Sequence, residues 1–101
     1  MAVKKSIKKA AHYVLVRSHL AGVFVGEQVG EATSERVVLR HARRIFSWAG
    51  ALSVDTIARV GVGAGSRLTG PHDVVVYGQI VQINPLSEGA RANLYSQPVA
   101  K

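Results

Sequence analysis

The chain has 101 residues, of which 48% are hydrophobic, with 13 Lys and Arg against 6 Asp and Glu, a net charge of +7 and no cysteine. That length bounds a single domain, and the absence of cysteine excludes disulfides and thiolate metal sites. No apolar run approaches the roughly 20 residues of a membrane span, and the lysine-rich start lacks the apolar stretch of a signal peptide, so a cytoplasmic protein is expected.

Residues 1–11 read as a basic arm, with Lys4, Lys5, Lys8 and Lys9 available for weak nucleic-acid contact, and residues 12–101 as one β-rich domain. Residues 12–17 are β-branched and aromatic and predict a first strand. A turn over 18–21 leads to a second strand over 22–29, where Gly22 and Gly26 suggest a bulge or a close backbone approach. Residues 30–35 connect to a third strand over 36–41, which either continues to Trp48 or breaks near Ala42. Ser53 suits an N-cap, Asp55 a helix first turn and Gly61 a C-cap, so a short helix is expected between them. The Gly-rich stretch 61–73 predicts a loop. Residues 74–83 predict one long strand or two, with Gly78 as a bulge and Asn84-Pro85 as the end. Ser87 can cap a last helical turn reaching Tyr95, and residues 97–101 either pair at an edge or hang free. The class expected is mainly β (α+β): a small antiparallel sheet or partly open barrel of about five strands with one or two short helices.

The stretch from His41 to Ala51 carries the most chemistry. It sets Arg43 and Arg44 beside Phe46 and Trp48, pairing guanidinium forks suited to phosphate with rings suited to stacking on a base. The alternative is that both aromatics are core residues framed by the arginines. If the strand continues unbroken, Arg36, Val38, Arg40, Ala42, Arg44, Phe46 and Trp48 share one face; a bulge near Ala42 would bring Arg43 to that face instead.

Catalytic chemistry is poorly supplied. The six carboxylates fall largely at turns and a helix start, and the four histidines show no metal-ligand spacing. The loop at Gly61 lacks the Gly-Lys-Ser/Thr ending of a P-loop. No enzyme, cofactor or metal is expected.

Residues 13–26, then 41–51 and the helix that follows, resemble a family of small tailed-phage proteins. Its pattern is an opening Tyr-Val-x-Val-Arg strand, a Ser-Ala-Gly-Val-like block and Ala-Arg-Arg-Ile-Trp-x-Trp-x-Gly-Ala. Phe46 stands where that family more often has Trp, and the loop 61–73 departs from its pattern. These proteins are similar to phage sponges that neutralise host immunity by sequestering nucleotide second messengers. The resemblance implies a phage-encoded anti-defence protein in the bacterial host cytoplasm, homo-oligomeric, binding a nucleotide-type anion such as a cyclic oligonucleotide. Arg17, Arg43 and Arg44 would hold phosphates, Phe46 and Trp48 would flank a base, and Ser18 and His19 would bond base edges or ribose. The other readings are a single-stranded nucleic-acid-binding module and a structural or assembly component of a virion.

Overall fold

The computed structural model describes residues 9–100, with side chains from 12 onward. The expected arm's Lys4, Lys5 and Lys8 lie outside this range. Lys9 instead opens strand β1, so residues 9–11 belong to the sheet where an arm was expected.

Among the described residues, six strands and two short helices follow in chain order: β1 (Lys9–Ser18), β2 (Gly22–Val29), β3 (Arg36–Ser47), α1 (Val54–Val60), β4 (Arg67–Leu68), β5 (His72–Tyr77), β6 (Ile80–Ser87) and α2 (Glu88–Ser96). All pairings between them are antiparallel, in the order β4-β3-β2-β1-β6, with β5 also on β3. The sheet is not closed into a barrel. β4 and β5 pair with successive halves of β3, at Ile45–Ser47 and Arg36–Ala42, so they act as one edge strand interrupted at Gly70-Pro71. The expected loop 61–73 therefore contains β4 and the start of β5.

Residues 74–83 form two strands, and Gly78, with φ 98°, is the bend between β5 and β6 where the chain passes from one edge of the sheet to the other. Those strands lie on opposite edges, so a turn this short forces the sheet to curl. The curl is tied at one end by His19 N–H to the Gln79 carbonyl (3.0 Å), Gly78 N–H to Glu35 (3.0 Å) and Ile80 N–H to Ser34 (2.8 Å). β6 runs past the expected stop at Asn84-Pro85 to Ser87. Pro85 is tolerated because β6 is an edge strand, where a missing N–H need not break a ladder.

Two apolar clusters form, one on each face. Val14, Val16, Phe24, Val37, Leu39, Ala42 and Val76 fill the inner, concave face. Leu15, Val25, Ile45, Leu68 and Leu86 pack on the outer face against Ile57 and Ala58 of α1 and Ala90 and Leu94 of α2. Ser53 caps α1 by accepting from Thr56 N–H, and Ser87 caps α2 by accepting from Ala90 N–H at 2.9 Å. α2 forms despite Gly89 because its cap and its buried Ala90 and Leu94 outweigh roughly 1 kcal/mol of poor propensity. Beyond it, Val99 bridges to Leu68 and Ala100 N–H bonds the Leu68 carbonyl (2.8 Å), so the last described residues pair at the edge.

Strand β3 does continue to Ser47, but through a bulge. Arg40 pairs with Glu27 and Arg43 with Val25, leaving Gly26 opposite both His41 and Ala42. His41 absorbs the extra residue with φ 57°. A Cβ on Gly26 would lie 3.0 Å from Ala42 Cα, so only glycine lets the strands approach this closely. The bulge exchanges the faces: Val37, Leu39 and Ala42 point inward together, and beyond them so do Arg44 and Phe46. Arg43 and Ile45 turn to the helix-covered side.

Candidate functional site

The adjacent arginines go to opposite sides of the sheet, which divides their chemistry. Arg43 is 1% exposed. Its Nε donates to the Thr69 carbonyl (2.6 Å), Nη1 to the carbonyls of Leu94 and Gln97 (both 2.8 Å) and Nη2 to that of Pro98 (3.3 Å). The last turn of α2 carries no basic residue of its own, and Arg43 supplies that cation from the sheet. Burial lowers its pKa below the ordinary guanidinium value, and Tyr95 acts in the opposite sense. With its fork spent on four carbonyls, Arg43 holds the C-terminal segment and has no face for a phosphate. The structure thus places Arg43 at the C-terminal segment and not beside Arg44, where the sequence sets it.

Arg44 is exposed. Its guanidinium carbon lies 5.7 Å from the Phe24 ring centre and 5.6 Å from that of Phe46. The side chain crosses over Gly22, where an added Cβ would sit 3.3 Å from Nη2. Its backbone is pinned by Thr69, whose hydroxyl accepts the Arg44 N–H (2.9 Å) and whose N–H reaches the Arg44 carbonyl (3.0 Å). Among the described residues no carboxylate pairs with Arg44. Phe46 is 54% exposed, unusually open for a large aromatic. The result is a fixed cation bracketed by two rings, one buried and one open to solvent.

The other expected residues do not join this group. Arg17 is exposed on β1, but two positions from Leu15 it lies on the helix-side face, paired with Val23 and Gln82. Trp48 is half-buried against the helix-side core, so it and Phe46 diverge instead of flanking one base. Ser18 is buried; its hydroxyl bonds the carbonyls of Tyr77 (3.2 Å) and Gly78 and accepts Ala21 N–H (3.0 Å). That hydroxyl is committed to the turn between β1 and β2 and to closing the curl, not to a ligand. His19 is exposed in the same turn, and its backbone N–H is bonded to the Gln79 carbonyl. Phe24 was not singled out from the sequence, although its place opposite Arg44 follows from the β2–β3 register.

Among the described residues no three His, Asp or Glu side chains converge as a metal site, and no helix is long and apolar enough to cross a membrane. No curated protein and no solved structure matches the chain. A family described as a domain of unknown function (DUF6948) matches residues 11–94, from β1 to the last turns of α2 and so nearly the whole fold. The chain belongs to that family.

Proposed function

We propose that this chain binds a nucleotide-type anion without transforming it, using Arg44 for phosphate and Phe46 for the base. The observation that carries the reading is the exposed Arg44 guanidinium, unpaired by any carboxylate among the described residues and held between two phenylalanine rings. A guanidinium already positioned by flanking rings loses little side-chain freedom on binding, and a charge-assisted bond to phosphate contributes about 1.5–3 kcal/mol. The net charge of +7 draws polyanions and phosphates from a distance.

In its specific form the proposal is a phage-encoded anti-defence sponge, sequestering a cyclic oligonucleotide or related immune signal in the host cytoplasm. The Arg44–Phe46 surface is open in a single chain, so enclosing a small ligand calls for a second copy, which accords with the proposed homo-oligomer. The same openness favours one rival, a single-stranded nucleic-acid binder. Calorimetry with cyclic di- and trinucleotides and ADP-ribose derivatives tests the sponge, with an Arg44→Ala comparison. Tight binding of one compound, weakened roughly 10- to 100-fold in the variant, is expected. Micromolar or absent binding across the panel overturns it. Binding of oligonucleotides instead, falling steeply with salt, establishes the rival.

A further inference from the structure

A second group of rings and cations lies on the other side of β3, around the bulge. The His41 ring stacks on Tyr95 (centroids 5.9 Å, planes 28° apart), and Tyr13 meets Tyr95 edge-on at 5.6 Å. The Arg91 guanidinium sits 4.5 Å above the Tyr13 ring, and Arg40 pairs with Glu27 at 3.6 Å, directly across from Tyr13 in the sheet. Tyr13 and Tyr95 are half-buried against the helix-side core, whereas His41, Arg40 and Arg91 are all exposed and add nothing to that burial.

The backbone beneath it is held in an unfavourable conformation. His41 has φ 57°, rare for a residue with a side chain, and His12, next to Tyr13, has φ 55°. His41 is fixed from both sides: its N–H donates to Asp73 Oδ1 (3.0 Å) and its carbonyl accepts the Tyr95 hydroxyl (2.6 Å). Left-handed backbone that the surroundings over-determine clusters at binding sites, where it aims a side chain. Here it lays one face of the imidazole on Tyr95 and leaves the other to solvent, at the end of a ready-made stack.

We infer that this cluster is a second ligand site, taking the base of a nucleotide on the open face of His41 and its phosphate between Arg40 and Arg91. Glu27 and Asp73 offset part of the local positive charge, so a bare phosphate is a poor ligand and the ring supplies the selectivity. The site shares no residue with the Arg44–Phe46 group and stands or falls independently of it.

The test is a titration of the full chain with AMP, adenosine and inorganic phosphate, followed by NMR at the backbone amides and the His41 ring. AMP is expected to shift Tyr13, His41, Arg91 and Tyr95 resonances, with adenosine and phosphate each weaker. His41→Asn keeps a residue that tolerates positive φ while removing the ring, and Arg91→Ala removes a cation; each should weaken AMP about tenfold. Arg44→Ala should leave these shifts unchanged. Absence of AMP-induced shifts at these four residues, phosphate shifting them as strongly as AMP does, or undiminished AMP-induced shifts at Tyr13, Arg91 and Tyr95 in a folded His41→Asn protein would each overturn the inference. Failure of Arg44 to bind cyclic nucleotides leaves it intact, so the two proposals are separable.

Discussion

Replacing Arg43 and Arg44 one at a time should produce opposite phenotypes. Arg43→Met retains the apolar stem but deletes four bonds from one guanidinium to the carbonyls of Thr69, Leu94, Gln97 and Pro98. Taking the low end for a bond from a charged donor, about 1.5 kcal/mol net each, the gross figure is about 6 kcal/mol. The Leu94 bond is buried and its carbonyl is left poorly served, whereas the other three lie where water can partly replace the donor. Loss of a cation that costs free energy to bury also returns some stability. A net loss of about 3 kcal/mol remains, which for a domain of this size lowers Tm by roughly 12–24 °C. Arg44→Ala removes an exposed side chain with two cation–π contacts and should cost no more than about 1 kcal/mol while weakening ligand binding. Chemical and thermal denaturation monitored by circular dichroism measures both. If Arg43→Met melts within about 4 °C of the parent, or Arg44→Ala is the more destabilised of the two, the assigned roles are wrong.

Two further outcomes follow from the same region. Gly26→Ala places a methyl 3.0 Å from both Ala42 Cα and Cβ, so the bulge must shift; a loss of about 1–3 kcal/mol is expected in urea unfolding, together with amide shifts at His41, and neutrality would show that the bulge is not closely packed. Tyr95 is held protonated above its ordinary value of 10.0, first by burial and then by Tyr13, with Arg43 and Arg91 pulling the other way. Its folded pKa therefore exceeds its unfolded one, so its contribution is intact below about pH 10 and is lost as pH rises further. The fall in stability above pH 10 should be shallower in Tyr95→Phe, and an identical pH profile for the two proteins would contradict the assignment.

The strands were legible because runs such as Tyr13–Val16 and Val74–Val76 combine β-branched and aromatic residues, and the helix starts because Ser53 and Ser87 carry the capping hydroxyl. The two positive neighbours of the central motif were also legible as chemistry. Their directions were not. A histidine in left-handed backbone has no sequence signature as a glycine would, yet that one residue moves Arg44 and Phe46 inward and Arg43 outward. The partners that occupy Arg43 lie 26 to 55 residues away and meet it only when α2 docks on the sheet. Local pattern thus determined which segments would be strand or helix, because propensity and capping act over a few residues. Tertiary structure decided which arginine is spent inside and which stands free, because that choice rests on one bulge and on carbonyls brought from the far end of the chain.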